Sequence, residues 1–400
     1  MAGLLADTRV LDLTNVLAGP FCCYQLAQLG AEVIKVEAPG TGDLARQLGA
    51  DPELNRGLMG ASFLAQNAGK RSITLNLKHP KGREAFTRLA ASADVVVENF
   101  RPGVMERLEL GYDRLKVIKP GMIYCAISGF GQDGPLKFNP AYDQIIQGLS
   151  GVMSVTGDAQ SAPLRVGYPV ADTMGGITAA YAIAAALFRR ERTGEGEFID
   201  VSMLEASIVA MGWVVSNWLI AGERPQPLGN ENMTASPSGA FRTGQGLLNV
   251  AANQQQQFEA LCRLIGRPEL IADGRFAGRE DRKRNRYALR DEIEVALRGR
   301  SAAEWSKLMN EAGVPAGEVL DVPQVLEHPQ IVERMLLHTF PQVPGVDRAV
   351  TVTRAGFRLG GGDPTPASPP PALGADTKRL LAEIGYSERE VEQLAYDKII

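Results

Sequence analysis

Asp172 is the side chain whose setting in this sequence best suits covalent chemistry. It follows the apolar run at residues 166–171 and precedes Thr173-Met174-Gly175-Gly176, a pattern that predicts a strand followed by the start of a helix. An aspartate there caps a helix by accepting backbone N–H bonds. The positive end of the helix would also keep the carboxylate ionised, as a nucleophile requires. From the residues alone the cap is the simpler interpretation, and both stay open.

A second group of candidates follows a short apolar strand. Asn99, Phe100 and Arg107 come after the Val-Val-Val run at residues 95–97. In an open α/β sheet, ligands bind in the crevice beside the carboxyl ends of the strands, so these residues are candidates for ligand contact. The ordinary alternative makes Asn99 a turn residue and Arg107 a solvated helix charge.

The elements that must position these residues alternate between strand and helix. A strand at 10–13, a helix at 21–29 and a strand at 32–36 have connections so short that they predict a crossover unit. Further strands are predicted at 72–77, 95–97, 123–128 and 198–202, and further helices at 79–91, near Asp113, from Thr173 to about Thr193, and at 203–220. Strands this apolar belong to a sheet covered on both faces. The predicted fold class is α/β with a parallel sheet.

The composition changes at Gly222, where Glu223-Arg224-Pro225-Gln226-Pro227 has linker character. Beyond it, a strand at 247–251 and helices at 254–264, 282–297 and 302–310 predict a smaller unit. Residues 360–371 contain Gly-Gly-Gly and Pro-Pro-Pro runs and are predicted to form an extended surface connector. Helical periodicity returns at 377–394, so the C-terminal part is expected to pack back onto the fold.

Composition disfavours several functional classes. The chain has 42 Lys and Arg against 46 Asp and Glu, a formal net charge of −4, and no dense basic block, which argues against nucleic acid as a partner. The four cysteines lack metal-ligand spacing, so no metal is expected and the thiols should be reduced. No G-x-G-x-x-G follows the first strand, which argues against a nicotinamide dehydrogenase.

The chain is expected to be cytoplasmic, with an organelle interior as the alternative, and to have no membrane partner. Its first residues lack the pattern of a secretory signal. The most apolar predicted helix, at 173–188, is shorter than the ~20 residues that a membrane span needs.

Several separated segments share their order and spacing with a known family. They are Leu11-Asp12-Leu13-Thr14, Ala18-Gly19-Pro20, Gly30-Ala31-Glu32-Val33-Ile34-Lys35-Val36-Glu37, Gly42-Asp43, Asn67-Ala68-Gly69-Lys70-Arg71-Ser72, Val97-Glu98-Asn99-Phe100-Arg101-Pro102-Gly103, Ser128-Gly129-Phe130-Gly131-Gln132, Ala141-Tyr142-Asp143, Ala171-Asp172 and Leu373-Gly374. Together they resemble the class III coenzyme A (CoA) transferases, which include formyl-CoA transferase, the carnitine CoA-transferases and the dicarboxylate CoA-transferases.

The resemblance implies a Rossmann-like CoA-binding domain built from residues 1–221 and 330–400, a small α+β domain at 222–329, and a homodimer whose subunits are interlocked. It also implies transfer of CoA from an acyl-CoA to a free carboxylic acid, without a metal. Asp172 would form a mixed anhydride and then an aspartyl-CoA thioester, so the nucleophile becomes the favoured interpretation. Backbone N–H groups of Gly175 and Gly176, or of the small domain, are expected to stabilise the oxyanions.

The resemblance also implies which residues of this chain contact CoA. The expected contacts are Asn15, Val16, Leu17, Ala18, Leu75, Asn99, Phe100, Arg107, Tyr142 and Met203. One family member has an arginine where this chain has Ala38, so a phosphate contact is expected from Lys35 or Arg46 instead. Arg46, Arg71 and Arg165 are candidates for binding a substrate carboxylate, but each equally fits a surface or structural charge.

Tyr142-Asp143 separates the leading hypothesis from its main alternative. The related α-methylacyl-CoA racemases carry a His-Asp pair here, and a tyrosine, with an ordinary pKa of ~10, is a poor proton shuttle at neutral pH. Two alternatives to a CoA-transferase stay open: a CoA-ester racemase or epimerase, and a catalytically silent CoA-binding protein. The run at residues 253–257 resembles the dicarboxylate branch and favours a succinyl-CoA donor, although it equally fits a polar loop and first helical turn.

Overall fold

The computed structural model describes residues 3–400, which divide into two compact units. The larger unit comprises the chain up to Val152, Arg165–Gly222 and Val332–Ile400. The smaller unit comprises Met153–Leu164 and Glu223–Ile331. Both ends of the described chain therefore build the larger unit. Residues 153–164 group with the smaller unit.

The larger unit contains a six-stranded parallel sheet. Strands in the described residues are β1 (Arg9–Asp12), β2 (Glu32–Glu37), β3 (Lys70–Thr74), β4 (Val95–Glu98), β5 (Ile123–Ser128), β6 (Glu197–Ser202), β7 (Ser238–Arg242), β8 (Leu247–Ala251), β9 (Ala316–Glu318), β10 (Leu337–Phe340) and β11 (Val350–Thr353). The sheet order is β3-β2-β1-β4-β5-β6, with every pair parallel. This is the order of a doubly wound Rossmann sheet, which confirms the predicted fold class. The order reverses between β1 and β4, so the ends of those two strands border the ligand-binding crevice.

Helices and a C-terminal segment cover the sheet. The helices are α1 (Ala18–Gln28), α2 (Pro52–Arg56), α3 (Ala61–Leu64), α4 (Pro80–Ser92), α5 (Val104–Arg107), α6 (Tyr112–Ile118), α7 (Asp143–Leu149), α8 (Val152–Val155), α9 (Val170–Thr193), α10 (Met203–Ala210), α11 (Gly212–Ala221), α12 (Gln255–Leu264), α13 (Arg279–Arg284), α14 (Arg286–Leu297), α15 (Ala302–Glu311), α16 (Val322–Glu327), α17 (Pro329–Glu333), α18 (Thr377–Glu383) and α19 (Glu388–Tyr396). One face of the sheet packs with α4, α6, α18 and α19 and the other with α1 and α9. The C-terminal helices thus complete the core, as their periodicity predicted.

The start of α9 differs from the sequence prediction. No strand forms at residues 166–171, because Pro169 lacks the N–H that a ladder needs and instead precedes the first helical residue, Val170. Asp172 is therefore the third residue of the helix, and the prediction that it caps the helix was wrong. The other end is as predicted, because Gly194 ends the helix with a left-handed φ of +72°.

The length expected for this helix was also wrong. At 24 residues, α9 is long and apolar enough to cross a membrane by length and composition alone. Its buried residues, including Ala179, Ile183 and Leu187, pack against α1 and the sheet. Ile177, Tyr181 and Phe188 on its other face are exposed.

Two further predictions need correction. The single helix expected at 203–220 is broken at Met211 into α10 and α11, which meet at a bend of 74°. Residues 360–371 have no regular secondary structure, as predicted, but they are not simply a surface connector. Pro364, Pro366, Pro370 and Pro371 are buried, and the Ser368 carbonyl accepts a 2.8 Å hydrogen bond from the Gly69 N–H.

The smaller unit has an α+β arrangement, as predicted. Its antiparallel sheet has the order β7-β8-β9. Helices α12, α14 and α15 supply Phe258, Ile293 and Trp305 to a core that also contains Phe241 and Leu248. The helix expected at 282–297 begins within α13 and is interrupted at Asn285.

Candidate active site

Two cavities lie at the carboxyl edge of the parallel sheet. The first has a volume of about 370 Å³ and the second about 950 Å³, the range of small-molecule sites. Asn15 and Phe100 line both cavities. These residues follow β1 and β4, so the two cavities meet where the strand order reverses.

Asp172 lines the smaller cavity. It is half-buried in the first turn of α9, and no hydrogen bond or ion pair to its carboxylate is found in residues 3–400. Burial, and then the charge of Asp143, raise the pKa of this carboxyl from its ordinary 3.8 to about 7. The site thus holds a carboxylate whose ionisation is opposed by its surroundings.

Asp143 connects helix α7 to the start of α9. One carboxylate oxygen accepts the Ala171 N–H at 2.9 Å, and the other accepts from the Gln147 side-chain amide at 2.7 Å. Asp143 therefore provides the capping acceptor that Asp172 was expected to be. Its buried charge also lies close enough to Asp172 to influence that residue's ionisation.

A loop after β1 forms the opposite part of the cavity lining. The Asn99 side chain accepts the Asn15 N–H at 2.8 Å and donates to the Asn15 carbonyl at 2.9 Å. Val16 has a left-handed φ of +67°, which is unfavourable for a β-branched residue, and its N–H donates to Asp43 at 2.9 Å. These bonds fix a strained loop. The Asn99 side-chain amide is hydrogen-bonded to the Asn15 backbone and is therefore not free to bind a ligand.

Lys35 lies outside both cavities. Its ammonium is 2.8 Å from Asp43 and 3.8 Å from Asp12 and donates to the Thr14 carbonyl at 2.8 Å. Lys70 donates to Asp12 at 2.9 Å, and all four charged side chains are fully buried. Burial disfavours the Lys35 charge, but the two carboxylates outweigh it and raise its pKa. Lys35 lines neither cavity, so the expected phosphate contact from this residue was wrong. Its ammonium instead lies beneath the loop after β1.

The first turn of α1 offers backbone donors to the smaller cavity. Leu17 and Ala18 line it, and their N–H groups have no hydrogen-bond partner in the described chain. Such groups are the unpaired donors at a helix start, where the dipole also favours negative charge. They belong to residues lining the same cavity as Asp172.

Gly175 and Gly176 do not supply the expected oxyanion donors, because both lie inside α9, where their N–H groups serve the helix. A Cβ on Gly176 would lie 2.5 Å from the Ala18 carbonyl oxygen, and one on Gly175 would lie 2.9 Å from Met203 Cγ. The two glycines therefore allow close packing of α9 against α1 and α10.

The remaining predicted residues fall into two groups. Val16, Asn99, Tyr142 and Met203 line the smaller cavity, whereas Leu75 and Arg107 line the larger one. The Tyr142 side chain is 70% exposed. His79, His328 and His338 line neither cavity.

Two of the candidate arginines are occupied elsewhere. Arg46 is fully buried and pairs with both carboxylate oxygens of Glu37, at 2.7 and 2.8 Å. Arg71 pairs with Glu32 and Glu383. Arg165 is about half exposed, and its guanidinium lies 3.9 Å from Asp143.

The sequence pattern missed cations around the cavities. Lys78 and Lys398 line the larger cavity and Lys137 the smaller one. Lys78 and Lys137 follow the strand ends of β3 and β5, and such a position is the same signal that indicates Asn99. Lys398 had no such signal, because only the folded chain brings α19 beside β3.

The chain is similar to proteins of one family. Residues 5–377 match the model of CoA-transferase family III. Acetyl-CoA:oxalate CoA-transferase of Acetobacter aceti is 42% identical over 82% of this chain and 84% of that protein. Succinyl-CoA:glutarate CoA-transferase of Mus musculus is 36% identical over 99% of this chain and 90% of that protein. A solved CAIB/BAIF family protein from Brucella suis has a TM-score of 0.83 and 34% identity, covering 96% of this chain and all of that one.

Proposed function

We propose that this chain, which belongs to CoA-transferase family III, moves CoA from succinyl-CoA to a free dicarboxylate through covalent intermediates on Asp172. Membership makes it an acyl-CoA:carboxylate CoA-transferase, and the acids and the covalent route are the proposal. The proposal rests on the environment of the Asp172 carboxylate. This group is half-buried, has no hydrogen-bond or ion-pair partner within residues 3–400, and lies in a cavity that meets a larger one at Asn15 and Phe100. This arrangement suits a thioester held beside a nucleophile, with the rest of CoA in the second cavity.

The proposed route has four balanced steps. The Asp172 carboxylate attacks the acyl-CoA carbonyl, forming a mixed anhydride and expelling CoA thiolate. The thiolate attacks the aspartyl carbonyl, giving an aspartyl-CoA thioester and the free donor acid. The acceptor carboxylate attacks this thioester, giving a second mixed anhydride and thiolate. Attack of the thiolate on the acceptor carbonyl releases the new acyl-CoA and regenerates Asp172.

The surroundings of Asp172 favour the covalent states. Burial and the charge of Asp143 oppose the free Asp172 anion, but an anhydride or thioester at this residue is neutral and avoids that cost. The ground-state carboxylate is therefore raised in free energy relative to the intermediates. The N–H groups of Leu17 and Ala18 are the proposed donors to the tetrahedral oxyanions, because they are unpaired and line the same cavity.

The dicarboxylate preference rests on two observations. The relatives described above are named for acetyl-CoA and oxalate and for succinyl-CoA and glutarate, so each name includes at least one dicarboxylic acid. Arg165 lines neither cavity, but it is the candidate arginine that keeps an accessible guanidinium, 3.9 Å from Asp143, whose carboxylate accepts a hydrogen bond at the start of the helix that carries Asp172. We assign it to the distal carboxylate of the acid, which a guanidinium can bind through two hydrogen bonds.

A homodimer is part of the proposal. Helix α11 exposes Trp213, Trp218, Leu219 and Ile220, with Ile220 at 86% exposure. An exposed apolar patch of this kind marks an interaction surface, and the resemblance to the family supports a second copy as its occupant. Sedimentation of the purified protein should give twice the 43.0 kDa chain mass, and a monomer at micromolar concentration would contradict this part of the proposal.

The covalent route is tested by trapping. The protein is incubated with succinyl-CoA and then with hydroxylamine or borohydride, and the modified residue is mapped by mass spectrometry. Trapping should occur at Asp172 and be lost in Asp172→Ala, while Asp158→Ala, a surface aspartate of the smaller unit, should retain it. Absence of any adduct together with α-deuterium uptake from D₂O would overturn the transferase route in favour of a racemase. Absence of both would indicate a silent CoA-binding protein.

A further inference from the structure

Helix α19 ends in a conformation that glycine normally provides. The Lys398 N–H donates to the Ala395 carbonyl at 3.0 Å and the Ile399 N–H to the Leu394 carbonyl at 2.9 Å, the two bonds of a Schellman motif. The residue in the left-handed position is Lys398, with φ +56°. Any side chain in this backbone conformation is unfavourable relative to glycine, so Lys398 lowers the local backbone stability at this position.

The end of α19 is fixed against the sheet. The Ile399 carbonyl accepts a 2.7 Å hydrogen bond from the Asn76 N–H, two residues beyond β3. The side chains of Leu394 and Ile399 are buried in the core beneath. Lys398 is therefore held on the wall of the larger cavity next to the end of β3.

The larger cavity carries unpaired positive charge. Its charged side chains are Glu37, Lys78, Arg107 and Lys398, and Ile400, the last residue of the sequence, contributes one carboxylate to the lining. Glu37 is neutralised by the buried Arg46, whereas the three cationic side chains have no ion-pair partner within residues 3–400. Three free cations around one cavity favour a ligand with several negative charges.

The positions of Arg107 and Lys398 suit different parts of that ligand. Arg107, in α5, follows β4 and lies near the junction with the Asp172 cavity, where Asn15 and Phe100 line both cavities. Lys398 lies beside β3, which is two strands from β1 in the sheet order, or roughly 10 Å along the sheet at the usual strand spacing. A ligand whose reactive end is at Asp172 would place its remote end near Lys398.

We infer that Lys398 binds the 3′-phosphate of the CoA adenosine and selects CoA over 3′-dephospho-CoA. The inference rests on the proposed function, since it places the CoA thioester at Asp172 and the nucleotide in the larger cavity. The phosphomonoester is the most strongly charged group of CoA and is remote from the thiol. The contact with the phosphate would explain why a lysine occupies a position where glycine would give a more stable backbone.

The test is Lys398→Gly, which separates binding from structure because glycine suits the left-handed position. We expect an unchanged or higher melting temperature, an increase of about tenfold in KM for succinyl-CoA, the low end for loss of a charged hydrogen bond, and little change in kcat. The KM ratio of 3′-dephospho-succinyl-CoA to succinyl-CoA, expected to be well above one for the wild type, should fall towards one. Lys398→Arg should keep most of the discrimination.

A matched control is Met335→Gly, since Met335 also has a left-handed φ of +50° and lines neither cavity. It should leave both KM values unchanged. The inference would be overturned if Lys398→Gly kept the wild-type KM ratio between the two donors, or if the wild type itself did not discriminate between them. In both cases transfer activity would persist. Failure of the proposed function is distinct, because the wild type would then transfer no CoA from either donor.

Discussion

Replacement of Asp172 by asparagine should abolish transfer and stabilise the larger unit at alkaline pH. The pKa of Asp172 is raised from 3.8 to about 7 by burial and by Asp143. Between these two values the folded protein keeps a proton that the unfolded chain has released, so the wild type loses stability as the pH rises. Asparagine does not titrate, so the stability difference between variant and wild type should grow over this range.

The size of this effect follows from the two pKa values. The higher pKa in the folded state disfavours folding by about 2 kcal/mol at pH 5, where the folded carboxyl stays protonated, and by about 4 kcal/mol at pH 8, where it is ionised. Before rounding, the difference between variant and wild type increases by almost 3 kcal/mol between these pH values, and solvent around the half-buried side chain reduces this to about 2 kcal/mol. Any constant effect of the asparagine itself cancels, because only the change with pH is compared.

Thermal unfolding at fixed protein concentration, from pH 5 to pH 8, measures this difference. A change of 2 kcal/mol corresponds to roughly 5 °C for a unit of this size. Asp158→Asn provides the control, because hydrogen bonds from the Ser161 hydroxyl and N–H lower the pKa of that carboxyl, so its difference should be constant above pH 5. A constant difference for Asp172→Asn as well would refute the raised pKa and the argument built on it.

Four further changes test separate parts of the site. Asp143→Asn removes the neighbouring negative charge, so the acid limb of the pH profile of kcat/KM should move to lower pH, and an unmoved limb would contradict the coupling. Gly176→Ala places a Cβ 2.5 Å from a carbonyl oxygen of α1 and should lower the melting temperature by several degrees, whereas Gly212→Ala, which has open space around it, should not. Asn99→Ala removes both side-chain bonds to the loop after β1 and should lower kcat/KM at least about tenfold with little loss of stability. Arg165→Gln should raise KM for dicarboxylate acceptors about tenfold while leaving KM for succinate monomethyl ester unchanged, and equal effects on both acids would exclude the assigned contact.

The parallel sheet was predictable because its strands are short, apolar and separated by helical segments. β5 occupies the predicted residues 123–128, and β1, β2, β4 and β6 differ from their predicted positions by about one residue at an end. Buried strands carry this signal in their own sequence, since both faces must be apolar. The core of the larger unit could therefore be anticipated without the structure.

The start of α9 could not be predicted in the same way. The apolar residues before Asp172 fit a strand pattern, and the cap comes from Asp143, a residue 28 positions earlier in the chain. Local patterns identify a cap only when the acceptor is adjacent in sequence. The same aspartate also raises the pKa of Asp172, so the ionisation of the proposed nucleophile depends on a tertiary contact.

Lys35 shows why residue type alone is a poor guide to a binding role. A lysine in the strand β2 was expected to reach a phosphate, yet its ammonium is fully buried between Asp12 and Asp43. The Asp43 carboxylate that it pairs with also holds the Val16 N–H of the strained loop. Removing one member of a buried charge pair leaves the other uncompensated, so the loop geometry and the buried pair are coupled. The buried charges thus support the loop after β1 from below, whereas the cations Lys78, Arg107 and Lys398 line the larger cavity and stay accessible to a ligand.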